Sequence, residues 1–480
     1  MTEYPPTAAE AATPKAALAD VFRDGRRPYA VLVILGVAIH ALNLLVISII
    51  MPTIVADIGG AAYYTWPSMA YTIGSIIGAA CVGPVWVALG ARKGYAASAV
   101  AFVVGTTASA LAPDIASLIA ARAAQGLAGG LIIGGGMALV SGLFDTGLRT
   151  RMLAMYQGTW MVAQLLGPVI GGAFAEVGWW RGSFWSMVPL ALCLAAVAWF
   201  KLPDRLDSEA ADEIAGAFPF MRLALLTGGV FCIAAAGPID DMVVRGALVI
   251  AAIGLVWLTF RLDGKADNRL YPSHAMSVHS PVGLALCIMF LIGLVQTSVN
   301  LFLPLLLQIV HGVTPLLISF VGIVITLGWT VATFAVSGWS GARERFALWV
   351  GPLFMIAGLI GMTLTAQLPA LAVFTLAAFV MGLGVGAHNV HLLARTMMAA
   401  LKGEERITAS AIPSIRSLGI AFGAALAGML STIAGLGDAT EPIAVGNAVT
   451  FVYGAALLPL GLAAIFMIRL VRMGRGTYSR

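Results

Sequence analysis

Charge is scarce in this sequence. Of its 480 residues only 10% are Asp, Glu, Lys or Arg, against roughly 25% in an ordinary soluble domain. So few charges cannot cover a water-facing surface, which excludes a soluble globular protein. Cysteine is scarce too. Cys81, Cys193, Cys232 and Cys287 all lie inside apolar segments, without metal-ligand spacing or a disulfide framework, and read as packing residues. A Walker-type Gly-Lys-Ser/Thr loop is missing, so direct ATP hydrolysis is not supported. The net charge of +5 sits in short gaps between apolar runs, with no basic stripe or aromatic platform, which argues against nucleic acid. What the chain has instead is 60% hydrophobic residues and 55 glycines scattered through apolar runs. Such glycines let membrane helices approach closely.

A bilayer core takes roughly 20 apolar residues per helix. Runs of that kind occur at 30–51, 66–89, 95–112, 115–143, 152–175 and 183–200. After a charged break at 201–213 they resume at 218–237, 244–260, 282–309, 316–339, 347–365, 371–397, 407–434 and 446–470. The reading is an all-α integral membrane protein with fourteen transmembrane helices. Its expected parts are a cytoplasmic tail (1–29), a six-helix bundle (30–201), a cytoplasmic linker (202–217), an inserted helix pair (218–262), a second six-helix bundle (281–471) and a tail (472–480). Glu3, Glu10, Asp20 and Asp24 precede any apolar run, unlike the start of a cleaved signal peptide.

Arginine and lysine concentrate in alternate loops: Arg92 and Lys93, Arg149 and Arg151, Lys201 and Arg205, Arg261 and Lys265, Arg343 and Arg345, Lys402 and Arg406. The opposite loops hold little beyond Arg181 and Arg245. The positive-inside rule then places both termini in the cytoplasm of a multi-pass cell-membrane protein. Tyr63, Tyr64, Trp66, Trp179 and Trp180 fall in an outer aromatic belt. Gly90-Ala91-Arg92 and Gly341-Ala342-Arg343 each follow the second helix of a six-helix set, as a duplication requires.

Two spans carry motifs. The fifth reads from Gly158 to Gly172, with Gly167 and Gly171 at i,i+4 around Pro168. Proline removes a helical hydrogen bond, and paired glycines admit a neighbouring helix. The fourth contains Arg122, Gln125 and Gly126. An arginine inside a span marks a functional position by default, with snorkelling to the outer surface as the bland alternative.

From about residue 30 to 470 the chain resembles the major facilitator superfamily, in its fourteen-helix drug:proton antiporter branch. Gly158, Gly167, Pro168, Gly171 and Gly172 are similar to that branch's fifth-helix antiporter signature, a flexing seam. Arg122, Gln125 and Gly126 resemble its fourth-helix arginine motif, implicated in proton coupling. Gly83, Gly90 and Arg92 match the loop after the second helix, and Pro52 and Asp57 the end of the first. Leu307-Gln308, His311-Gly312 and Thr314-Pro315 match the entry to the tenth. Arg416, in Ile415–Gly419 with Gly423, matches the thirteenth. The resemblance implies two six-helix bundles plus an inserted pair, and efflux of amphipathic small organic compounds by alternating access. There are two departures. Asn43 stands where the first helix usually has an acid, and Val87 where the following loop has an aspartate.

Polar side chains at membrane depth are candidates for a substrate pocket. They are His40 with Asn43, Gln157 with Trp160 and Gln164, Gln296 with Asn300, and His388 with His391. Each group shares a helix face, and each could equally bond helices together. No Asp or Glu lies near the middle of a span, so proton coupling, if present, falls to His40, His388 and His391. An uncoupled carrier is the equal alternative. No metal set, cofactor motif or enzymatic nucleophile–base pair is found. A dedicated metabolite or siderophore transporter and a non-transporting membrane sensor or enzyme are the rival readings. The expected partners are a small-molecule substrate, the lipid bilayer and, in the coupled reading, protons. The expected state is a monomer.

Overall fold

The computed structural model describes residues 18–23, 25–144, 146–204, 219–266, 268–436 and 441–473. Most of the expected tails and of the linker 202–217 lies outside the described residues. Within them the regular structure is helical, the form that satisfies backbone groups inside lipid without a partner chain. The helices are α1 Arg27–Ile58, α2 Trp66–Ala80, α3 Val82–Ala110, α4 Ile115–Leu143, α5 Thr146–Glu176, α6 Trp180–Trp185 and α7 Met187–Lys201. There follow α8 Phe220–Ala235, α9 Met242–Asp263, α10 Pro281–Leu305, α11 Pro315–Val336, α12 Ala342–Thr365, α13 Leu371–Met398, α14 Glu405–Ile433 and α15 Pro442–Met473. Proline opens α10 and α11, where its missing N–H costs nothing. Asp114 caps α4 by accepting from the Ser117 N–H at 2.8 Å, while the Ser117 hydroxyl accepts from the Asp114 N–H.

Among the described residues, twelve helical stretches are long and apolar enough to cross a bilayer. The expected run 66–89 is interrupted at Cys81, between α2 and α3. Gly90 lies inside α3 at φ 80, ψ 163, a conformation only glycine adopts readily. The chain reverses there. A Cβ on Gly94 would stand 2.8 Å from the Trp86 ring, although eight residues of straight helix span about 12 Å. Gly341, before α12, also has a positive φ of 60, with ψ −116 in place of 163, so the echo of Gly90-Ala91-Arg92 extends to the sign of φ and not to the whole turn.

A second repetition lies in the packing. Gly126 and Gly130 of α4 rest on the carbonyls of Tyr71 and Ser75 of α2 without room for a Cβ. Gly382 and Gly386 of α13 rest in the same way on Ile325 and Trp329 of α11. Gly74 and Gly328 return the contact from the opposite helix. Close backbone approach of this kind is what holds helices together where lipid offers no hydrophobic drive.

Helices α1–α7 pack among themselves, as do α10–α15. Helices α8 and α9 form a hairpin whose first member also touches α14 and α2. Its open end is tied by a buried ion pair between Arg222 and Asp263, and Arg222 also donates to the Asn268 side chain at 2.6 Å. The apolar core is divided. One cluster runs through the second group and into the far half of the first, from Ala41 to Ile54 on α1. The other is confined to the first group's half nearer the N-terminus, with Leu32, Tyr95 and Leu139. The outer belt expected from the sequence is thinner than foreseen. Tyr64 and Trp180 are buried; Tyr64 stacks on Phe302 across the two groups, and the Trp180 indole donates to Asp57 at 3.0 Å.

Candidate functional site

The most enclosed polar cluster lies between α1, α2, α3 and α4. The Asp114 cap starts α4 and carries Arg122 two turns inward, where the side chain is 0% exposed. It does not snorkel. One guanidinium nitrogen donates to the Asn43 amide oxygen and, at 2.7 Å, to that of Gln125. The Gln125 amide in turn donates to Thr106 at 2.8 Å. The guanidinium lies over the Tyr71 ring at 4.3 Å, and the Tyr71 hydroxyl meets His40 Nδ1 at 2.9 Å. The imidazole of His40 packs edge-on to Trp160. Asn43, standing where the resemblance leads one to expect an acid, is therefore a neutral acceptor for a buried cation. No described carboxylate is within ion-pair distance of Arg122. Its second terminal nitrogen and the Ser183 hydroxyl are buried without a hydrogen-bond partner. Ser183 and Asn43 line a cavity of about 10 Å³, room for one water.

Helix α5 is the seam between the two groups. Gly167 faces the Leu45 side chain and Gly171 faces Val46 and Ile49, all on α1. Gly172, one residue on, faces Pro315 and Ser319 of α11. The Ser319 hydroxyl donates to the Pro168 carbonyl at 2.6 Å, and the Leu316 N–H to Glu176 at 3.1 Å. Gly158 has no neighbour against it. Trp160 and Gln164 are half-buried; the side chain of Gln157 lies outside the described residues.

The second group holds its cation differently. Arg416 on α14 is half-buried. It crosses in front of Gln296 on α10, with 3.5 Å to the amide oxygen, and lies 5.4 Å from the Trp329 ring on α11. Asn300 is exposed one turn beyond Gln296. His388 and His391 are buried and use different partners. His388 Nδ1 donates to the Gly384 carbonyl at 2.7 Å, and His391 Nε2 to the Val336 carbonyl at 3.0 Å. The pair shares a helix side but not a ligand, and no metal-binding cluster occurs among the described residues. Gly83 is buried on α3. Arg92 donates to the Leu202 carbonyl at 2.6 Å and pairs with Asp204, tying the Gly90 turn to the end of α7.

Among the participants not singled out from sequence are Tyr71, Thr106, Glu176, Ser183, Ser319 and Trp329. Tyr71 left one trace. A tyrosine inside an apolar run needs a partner for its hydroxyl, and His40 was available.

The family model described as Major Facilitator Superfamily matches residues 33–424. A probable multidrug-efflux transporter of Mycobacterium tuberculosis is 30% identical over 412 residues, covering 84% of this chain and 87% of the relative. The multidrug transporter protein MdtP of Bacillus subtilis is 24% identical, covering 85% and 76%. Among solved structures, the partially occluded inward open xylose transporter XylE of E. coli superposes with TM-score 0.58 at 15% identity, over 92% of this chain and 98% of that one. The resemblance read from the motifs is thus matched over most of the chain, and the chain belongs to the Major Facilitator Superfamily: it is a multi-span membrane transporter and not an enzyme.

Proposed function

We propose that the chain exports amphipathic small organic compounds, as a monomer, by alternating access between a bundle at 30–201 and a bundle at 281–471. In this reading the α8–α9 hairpin is the inserted pair. The second span is α2 continued to Gly90, which makes fourteen spans with both termini cytoplasmic. The observation that carries the reading is where the bundles touch. Ser319 on Pro168, Leu316 on Glu176, Thr65 against Gly428 and Tyr64 on Phe302 all lie at the ends of their helices away from the chain termini. The core is continuous there, while the first bundle's other half has a core of its own. A carrier closed at one face and divergent at the other is one limb of an alternating cycle. Trp160 packs against both cores; in the second bundle Arg416 meets Gln296 and the Trp329 ring, and these polar and aromatic side chains are the proposed lining of the path. The names of the mycobacterial and Bacillus relatives favour efflux and drugs as cargo.

The test is transport by the purified protein in proteoliposomes, with a panel of amphipathic compounds. Movement of several unrelated compounds supports the reading. Movement of a single metabolite would replace it with a dedicated carrier. Labelling a cysteine placed at Asp241 from outside intact cells checks the orientation. Proton coupling through His40 is a second reading, favoured by its bond to Tyr71 beside Arg122. It requires that an imposed pH gradient drive accumulation, and that His40→Ala abolish the response.

A further inference from the structure

The sign of the charge at membrane depth points to a class of cargo. The sequence places no Asp or Glu in the middle of any span, and four acids nearer the span ends are engaged. Asp57 is held by Arg181, Asp263 by Arg222 and Glu344 by Arg395, while Glu176 accepts from the Leu316 N–H. The interior keeps two arginines and no described carboxylate within ion-pair distance of either. Arg122 is spent inside the first bundle on neutral acceptors. Arg416 is not. Of its five N–H donors, one makes the single, long bond recorded to Gln296, and the side chain is half-exposed beside the Trp329 ring.

We infer that the carrier's cargo is anionic: an aromatic or amphipathic compound bearing a carboxylate, sulfonate or phosphate that Arg416 receives, with Trp329 under its ring. A planar guanidinium is built for that exchange, because it forks onto an oxyanion and offers its face to a π-system. A cation at the same place would meet uncompensated positive charge in a low-dielectric site. The assignment also bears on energy. An anion leaving a cell with a negative interior runs down the membrane potential, at about 2.3 kcal/mol per charge per 100 mV, which is about 50-fold in concentration. Efflux of an anion therefore needs no titrating carboxylate, and the replacement of the expected acid by Asn43 leaves the transporter with a driving force.

This inference rests on the export reading, and one experiment separates their failures. Proteoliposomes receive pyrenesulfonate or trimethyl(pyrenylmethyl)ammonium, one ring system with opposite charges, together with a neutral pyrene alcohol. A potassium-diffusion potential or a pH gradient is imposed, with protein-free liposomes as the blank. The expected result is protein-dependent movement of the sulfonate toward the positive side, approaching about 50-fold at 100 mV, with no accumulation under the pH gradient alone. Arg416→Gln should lose at least tenfold of this flux and Arg416→Lys less, with both proteins monodisperse in detergent. Preference for the ammonium compound, sulfonate flux indifferent to the potential, or full activity of a folded Arg416→Gln variant would overturn the inference and leave export standing. Movement of none of the three compounds would overturn both.

Discussion

Gly126 and Gly130 pack on α2 as Gly382 and Gly386 pack on α11, 256 residues later in each case. Carried across that interval, Arg122 becomes Ala378, Gln125 becomes Met381 and the capping Asp114 becomes Ala370. Ala378 and Met381 are as buried as the residues they replace, and the start of α13 has no side-chain cap. The glycines therefore fix the distance between backbones without dictating what fills the interior. One bundle spends that freedom on a closed polar network around a cation. The other is apolar at the equivalent point and carries its cation on α14, half-buried against Gln296 of α10 and Trp329 of α11. The first arrangement suits a rigid element and the second suits contact with cargo.

Moving the charge should break this contrast most severely. Ala378→Arg buries a cation with Met381 where Gln125 would accept, at a cost of several kcal/mol. No monodisperse protein is expected on size-exclusion chromatography, and a folded, active variant would show that the bundles are interchangeable. Arg122→Ala should abolish transport and lower the thermal midpoint, since the Asn43 and Gln125 oxygens lose their donor at about 1–3 kcal/mol each. Arg122→Lys retains the charge but not the forked donation, and should keep part of the flux.

Gly172→Leu should cut transport by roughly an order of magnitude, because it wedges α5 from α11. A cysteine at Ser319 would then become reactive to a membrane-impermeant thiol reagent. Gly167→Leu, which meets Leu45 inside its own bundle, should leave that cysteine protected. Arg92→Ala removes one backbone contact and a half-exposed pair, for about 1 kcal/mol and near-normal flux.

The smallest effect concerns the caps. Ala370→Asp should stabilise the second bundle by about 1 kcal/mol in thermal unfolding, and Asp114→Ala should remove its counterpart. The Ser117 N–H holds the Asp114 carboxyl below the usual carboxylate range. The stabilisation of the existing cap is thus complete above that range and is lost as pH falls through the lowered value.

The spans were legible because length and apolarity alone determine them, and the Gly90 turn because few residues tolerate its φ. The α5 seam was legible as a spacing, although its division of labour was not. Gly167 and Gly171 serve α1 while Gly172 serves α11, a matter of helix rotation that no single sequence records. His388 and His391 show the same limit. Their spacing gives a shared side, but one ring turns back to its own helix and the other reaches across to α11. Arg122 could be read as buried or as snorkelling; its acceptors come from α1, from α2 and from its own helix, and only the packing brings Asn43 and the Pro67 carbonyl to it.

The ion pair between Arg222 and Asp263 bears on how the chain is assembled. It joins the two ends of the α8–α9 hairpin across 41 residues and cancels their charges within one antiparallel unit. Such a unit can enter the bilayer during synthesis as an electrically neutral package, before the second bundle exists to receive it. Most of α9 faces outward, with Val243, Ile250, Ile253 and Trp257 exposed, so the hairpin is bound to the rest of the protein on one flank. It lies at the edge of the carrier, attached through α8 to α14 and α2.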